Sequence, residues 1–273
     1  MTTFPGSAFP SPDASFEDAG SACYVYGLVP AGATLPPDAV GVGHPATAIT
    51  LVEHDAVAAV VGEVSVEQPL GTPEDLRTHA RVLDGLAAST TVLPFRFGTV
   101  VRDVRAVVEE LLVGHHKEFS AGLAELEGKA QFTLRARYEE EAILRELLEE
   151  RPDIVRLREE LAGLSEETAY HRRIRLGELV ADGIAGKREA DGNLILERLI
   201  PVAEALGSVE VGAGDMVADA SFLVARERQQ DFEKAAEHLA RDLHGRVRLR
   251  LLGPLAPYDF VAEVMDNLDW GRS

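Results

Sequence analysis

Two adjacent histidines are the residues of this sequence whose chemistry suggests a metal site. His115 and His116, followed by Glu118, carry the imidazole and carboxylate groups that bind zinc. Neighbouring residues on a helix point about 100° apart, so the two imidazoles would not share one ligand face. We therefore predict a solvated or half-buried pair at this position and no metal centre.

His79 and Cys23 are the candidate catalytic side chains. His79 lies beside the apolar stripe of a predicted helix and could act as a general base. No nucleophile lies near it in the sequence, so we predict a structural hydrogen bond instead. Cys23 is the single cysteine, and nothing around it in the sequence would activate a thiol. We expect Cys23 to be a small buried side chain, and we expect the protein to reside in a reducing cytoplasm.

Two glycine-containing stretches resemble nucleotide-binding loops. Residues 212–215 (Gly-Ala-Gly-Asp) lead into a predicted strand, whereas a dinucleotide-binding loop opens a helix. Gly186-Lys187 resembles the end of a phosphate loop, but Arg188 replaces the Ser or Thr that would hold magnesium. The sequence therefore predicts no cofactor, no metal and no catalytic residue. An enzyme with an active site between two domains stays open as an alternative, because domain clefts are common pockets.

The composition narrows the range of partners. The chain has 273 residues, of which 46 % are hydrophobic and 27 % charged, and a net charge of −19. This charge repels polyanions, so nucleic acid and anionic membrane surfaces are poor partners. No apolar run has the length of a membrane span. We expect a protein partner that is basic or strongly apolar.

The stretch Leu93-Pro94-Phe95-Arg96-Phe97-Gly98-Thr99-Val100-Val101 stands between two helical patterns. Pro94 fits neither a helix interior nor a central strand, and Gly98 lets the backbone turn. The apolar residues, including Phe97 and Val100, are typical of buried chain. We predict a buried crossing segment in which Phe97 is a core ring.

Alternation and capping residues predict the elements around this stretch. Thr72-Pro73 starts a helix, and Asp103 caps another that runs past His116 to Leu123. Residues 139–206 have helical spacing, with a joint at Asp191-Gly192 and a kink at Pro201, which predicts an antiparallel helical hairpin. Strands are predicted at residues 22–30, 47–53, 56–64, 130–138, 208–211, 217–226 and 246–252, with a hairpin turn at His54-Asp55.

These elements predict an α+β protein. Residues 1–21 read as a disordered tail and residues 22–127 as an N-terminal α+β domain. Residues 128–273 follow the order strand, helices, strand, strand, helix, strand, which is the βαββαβ order of ferredoxin-like domains, with the helical hairpin inserted. Because that fold hosts unrelated functions, a ligand-sensing regulatory module is a further alternative.

Four blocks of the sequence are similar to those of the gas vesicle protein F/L family (GvpL/GvpF). The resemblance covers residues 22–261, with Leu255 standing where an aromatic residue is often found. The blocks are Tyr24-Val25-Tyr26-Gly27; His79-Ala80-Arg81-Val82-Leu83 with residues 91–100; residues 218–224; and Gly253-Pro254-Leu255-Ala256-Pro257-Tyr258-Asp259-Phe260-Val261. Their common order along the chain makes the resemblance specific.

The resemblance implies an accessory protein of gas vesicle assembly that has two α+β domains and is not an enzyme. It implies binding to the small hydrophobic shell protein, and to other gas vesicle accessory proteins, in the cytoplasm and at the gas vesicle. The positions that it marks as structural or partner-binding are His79, Pro94, Phe95, Arg96, Phe97, Gly98, Pro257, Tyr258 and Phe260.

Overall fold

A computed structural model of the chain describes residues 20–262, apart from residues 38, 69, 163, 211 and 213. The predicted tail therefore lies almost entirely outside the described residues. The fold is a mixed α/β architecture built on two antiparallel sheets. Each sheet buries apolar side chains against helices, which gives the molecule its hydrophobic cores.

The first sheet contains five strands in the order β2-β3-β1-β4, and β5 also pairs with β1. Its elements are β1 (Ser21–Pro30), β2 (Ile49–His54), β3 (Val57–Ser65), α1 (Pro73–Ala87), β4 (Leu93–Pro94) and β5 (Val100–Val101). The hairpin predicted at His54-Asp55 is confirmed, because β2 and β3 are antiparallel neighbours joined there. Thr72 and Asp75 form a reciprocal capping box that begins α1 at the predicted residue.

The stretch of residues 93–101, called the central stretch below, crosses the edge of this sheet. Pro94 lies in β4 opposite Gly27, where its lack of an N–H costs no internal ladder bond. A Cβ on Gly27 would lie 2.6 Å from the carbonyl oxygen of Leu93, so only glycine allows this approach. The buried ring of the stretch is Phe95, at 1 % exposure. Phe97 is half-buried and Val100 is 42 % exposed, so the prediction that both are core residues is wrong.

The helix predicted after this stretch is divided into three parts. Asp103 accepts a hydrogen bond from the Ala106 N–H at 2.7 Å, as expected of a cap. The chain then passes from α2 (Val104–Ala106) into a π-helix (Val107–Leu112) and, after a turn, into α3 (His116–Glu125). The apolar side chains of all three parts still face one core, which is why their spacing resembled a single helix.

The second sheet has the strand order β7-β8-β6-β9 and is antiparallel throughout. Its elements are β6 (Lys129–Tyr138), α4 (Glu140–Glu150), α5 (Pro152–Leu161), α6 (Glu166–Leu199), β7 (Ala205–Glu210), β8 (Met216–Ala225), α7 (Gln229–Asp242) and β9 (Val247–Leu255). This is the element order expected from the sequence. Phe132, Phe222 and Phe232 pack together between the sheet and α7.

The helical hairpin is not where the sequence placed it. Asp191 and Gly192 are buried inside α6, a continuous helix of 34 residues. The Asp191 carboxylate accepts hydrogen bonds from Tyr138 Oη at 2.7 Å and from the Arg246 guanidinium at 2.6 Å. These tertiary bonds hold the Asp-Gly pair in helical form and override its turn preference. The proline at position 201 lies in the short 3-10 turn that ends α6 and does not kink it.

Candidate functional site

An aromatic cluster centred on His79 brings three of the four sequence blocks together. We define the His79 cluster as His79, Tyr24, Tyr26, Phe97 and Tyr258. The imidazole stacks on Tyr26 at 5.6 Å between ring centroids and meets Phe97 edge-on at 5.6 Å. Tyr24 and Tyr258 complete the shell at 5.7 and 6.3 Å. The opening strand, α1, the central stretch and the C-terminal block therefore share one packing centre.

Hydrogen bonds fix the tautomer of His79. The Gly98 N–H donates to Tyr24 Oη at 3.1 Å, so the tyrosine hydroxyl has its own proton free for His79 Nδ1, 2.8 Å away. Nδ1 is then the acceptor, and the Nε2–H donates to the Phe95 carbonyl at 3.2 Å. His79 is thus a neutral imidazole with both ring nitrogens hydrogen-bonded inside the protein.

Burial keeps the His79 cluster uncharged at neutral pH. It lowers the pKa of His79 from 6.5 to about 4, although the bond to the Phe95 carbonyl acts in the opposite direction. Burial also raises the pKa of Tyr26 to about 12, although the hydrogen bond that the Val42 N–H donates to its hydroxyl lowers this pKa. Burial is also the main cause that raises the pKa values of Tyr24 and Tyr258. The perturbed groups therefore serve packing and hydrogen bonding inside the fold.

A pH titration of stability should detect His79. Because its pKa is lower in the folded than in the unfolded chain, its contribution is complete above pH 6.5 and declines as the pH falls towards 4. We expect wild type to lose about 2 kcal/mol of unfolding free energy between pH 7.5 and pH 5 that His79→Gln does not lose. Urea denaturation of both proteins at each pH measures this difference, and parallel pH profiles would contradict it.

The remaining marked positions divide into buried and exposed groups. Pro94, Phe95 and Pro257 are buried, and Phe95 contacts Phe119 at 5.8 Å between ring centroids. Phe260 is half-buried against the core that contains Phe95. Arg96 and Gly98 are exposed, and Gly98 has a φ of +90°, which favours glycine.

Sequence reasoning missed two contacts that join the second sheet to α1. The Arg226 guanidinium donates to the carbonyl oxygens of Ala87, Ala88 and Thr90, at 2.6–2.9 Å, and so caps the end of α1. The Asp84 carboxylate accepts from the Ala256 N–H at 2.9 Å, and burial raises its pKa despite this bond. Arg226 lies more than 130 residues from its partners, so no local pattern could have indicated it.

One face of α6 is apolar and exposed. The α6 stripe consists of Tyr170, Ile174, Gly177 and Ala181, spaced so that they share one side of the helix. Tyr170 is 60 % and Ile174 46 % exposed, and a Cβ added to Gly177 would meet no atom within 4 Å. The helix packs on α4 through another face, where a side chain at Gly183 would collide with Leu147. The α6 stripe is therefore left uncovered by the other residues that the structure describes, on the longest of the described helices.

The described residues have two further surface features, an apolar pair on β7 and a groove beside β3. Leu206 and Val209 are exposed on the edge strand β7, which makes a second, shorter apolar pair. A groove of about 420 Å³ lies beside β3 and is lined by Val42, Glu63 and other residues outside the His79 cluster. None of the described helices is both long enough and apolar enough to span a membrane.

These features define a class of protein: a mixed α/β chain on two antiparallel sheets, with a buried aromatic junction and an exposed helix. The family model for gas vesicle synthesis protein GvpL/GvpF matches residues 22–262. The chain belongs to this family, as the four sequence blocks indicated.

Individual relatives agree with the family assignment. Gas vesicle protein F of a Streptomyces species is 34 % identical over 247 residues, which cover 87 % of this chain and 98 % of the relative. Gas vesicle protein F of Dolichospermum flosaquae is 24 % identical and covers 76 % of this chain and 84 % of its own length. The crystal structure of GvpF from Anabaena sp. PCC7120 matches with a TM-score of 0.71 at 24 % identity, over 88 % of this chain and 98 % of that one. This last similarity shows the common fold.

Proposed function

We propose that this chain is an accessory protein of gas vesicle assembly that binds the small hydrophobic shell protein and helps nucleate or extend the shell. Membership of the GvpL/GvpF family supports the gas vesicle context. The observation that carries the proposal of binding is the α6 stripe, an exposed apolar surface on a chain with a net charge of −19. In this proposal the protein acts in the cytoplasm and at the gas vesicle, and also meets other gas vesicle accessory proteins.

The size of the stripe suits a transient assembly contact. Burying a large apolar side chain stabilises a complex by about 1.5–3 kcal/mol, before the cost of association is subtracted. Tyr170 and Ile174 alone therefore support modest affinity, as expected for a factor that must release its subunit to the shell. The acidic surface elsewhere keeps a complex with an apolar partner in solution.

We further propose that the role is not catalytic and that the chain divides into residues 22–127 and a ferredoxin-like domain from residue 128. An enzyme would need reactive groups facing a cavity. The histidine with the lowered pKa is instead enclosed by ring contacts and hydrogen-bonded on both sides. The strand order β7-β8-β6-β9 supports the ferredoxin-like description of the second domain.

Co-purification with the shell protein tests the proposed function. We expect the purified chain to retain shell protein at low salt and at roughly 0.5 M salt, because apolar contact supplies the affinity while exposed charge, screened within about 10 Å at 0.1 M salt, affects the association rate. An unrelated acidic protein of similar size is the control and should retain none. Retention at neither salt would remove shell binding as the function, and loss only at high salt would show that charge holds the pair.

A further inference from the structure

The tip of the β2–β3 hairpin and the start of α3 bring three metal-binding side chains together. His54 and Asp55 lie at the hairpin turn, and His116 is the first residue of α3. One ligand atom from each residue lies within 4.8 Å of those of the other two. We propose that these three residues form a binding site for one divalent zinc-class ion. The prediction of no metal was based on the adjacent pair His115-His116. It did not include His54, which lies 62 positions before His116 in the sequence.

The geometry is close to that of a metal-bound set. Zinc–nitrogen bonds are about 2.0–2.1 Å long, so two ligand atoms on one ion lie at most about 4.2 Å apart. His54 Nε2 and an Asp55 carboxylate oxygen are already 3.6 Å apart. The His54 and His116 rings meet edge-on, with centroids 5.8 Å apart. Asp55 is exposed and both histidines are partly exposed, so the proposed site requires these side chains to rotate until their ligand atoms reach one ion.

One ring nitrogen of this set has no hydrogen-bond partner in the described part of the protein. His116 Nδ1 is buried and has no hydrogen-bond partner among the described residues. The 3.6 Å between His54 and Asp55 is longer than a hydrogen bond. His115 packs against Phe119 instead, so His116 and not His115 belongs to the three-residue set. His116 Nδ1 is therefore the atom of this set for which a bound ion would supply a partner.

The ligand types select the class of ion. Two imidazoles and one carboxylate favour zinc and its first-row neighbours over magnesium and calcium, which prefer oxygen ligands. Three protein ligands leave coordination positions for water. The ion would join the hairpin tip to α3, whose apolar side chains already share a core with β3, so folding does not depend on it. The site uses no residue of the α6 stripe and needs no shell protein.

Zinc titration of the untagged, chelator-treated full chain tests the site by calorimetry. We expect one equivalent to bind, and His54→Ala and His116→Ala to lose at least about tenfold in affinity. His115→Ala is the matched control and should bind as wild type does. Asp55→Asn adds a third variant, because asparagine tolerates the left-handed backbone at this position (φ 51°).

Two further readouts separate metal binding from loss of folding. Melting temperatures without metal should be the same for wild type and all four variants, and zinc should raise the melting temperature of wild type but not of His116→Ala. Cobalt should give d–d absorption bands with wild type and His115→Ala only. Absence of saturable zinc binding to wild type, or unchanged binding by His54→Ala and His116→Ala, would overturn the proposal. Neither result bears on shell binding, which is measured with a different partner.

Discussion

Phe95→Ala is expected to lower the free energy of unfolding by roughly 3–5 kcal/mol. The ring is 1 % exposed and lies in the core formed by the first sheet and α3, in contact with Phe119. Truncation to alanine removes its apolar contacts and leaves a cavity that the surrounding strands can fill only in part. Urea denaturation at pH 7.5 measures the loss.

Val100→Ala is the matched control for Phe95→Ala. Val100 belongs to the same stretch and is 42 % exposed, so we expect a change below about 1 kcal/mol. Phe97→Ala should fall between the two, because Phe97 is half-buried against the His79 cluster. Equal effects at positions 95 and 100 would show that the central stretch is not packed as described.

Asp191→Ala is expected to cost roughly 3 kcal/mol. Asp191 is buried and receives the Tyr138 hydroxyl and one arm of the Arg246 guanidinium. Removing the carboxylate leaves the hydroxyl without its acceptor and Arg246 with Glu146 alone, 2.9 Å away. The cost is smaller than for a fully enclosed ion pair, because Arg246 is partly exposed.

Asp219→Ala provides the comparison for Asp191→Ala. Asp219 also binds an arginine, Arg135, at 2.9 Å, but on the exposed face of the second sheet. An exposed ion pair contributes less than about 1 kcal/mol, so this variant should unfold at nearly the wild-type denaturant concentration. If the two aspartate variants were equally stable, the anchoring of α6 through Asp191 would be wrong.

The fold was predictable where a local pattern and its tertiary environment agree. Alternating apolar residues and the short His54-Asp55 joint predicted a hairpin that the first sheet contains. Thr72 and Asp103 predicted helix starts because capping involves residues only three positions apart. Asp191-Gly192 misled because a turn preference is worth little against two hydrogen bonds to the buried Asp191 carboxylate.

The candidate sites depend on pairings that local patterns do not encode. The resemblance marked His79, Phe97 and Tyr258, but not that their rings meet around one imidazole. Tyr24 reaches His79 across 55 positions, and the tautomer follows from this contact together with that to the Phe95 carbonyl. Helical spacing over residues 139–206 was visible in the sequence, yet such a spacing describes a buried helix face equally well. Only the packing of α6 on α4 shows which face the described residues leave uncovered.

The central claim is that the α6 stripe binds the shell protein, and one binding measurement tests it most directly. Wild type, the double variant Tyr170→Glu/Ile174→Glu and the matched double variant Leu206→Glu/Val209→Glu are compared for retention of shell protein at roughly 0.5 M salt. Both double variants add two negative charges to exposed apolar positions, so the comparison separates the effect of the surface altered from that of the added charge. We expect the α6 variant to lose retention while the β7 variant keeps it, with circular dichroism of both like that of wild type. Full retention by the α6 variant would contradict the account, and loss by the β7 variant alone would place the contact on the edge of the second sheet.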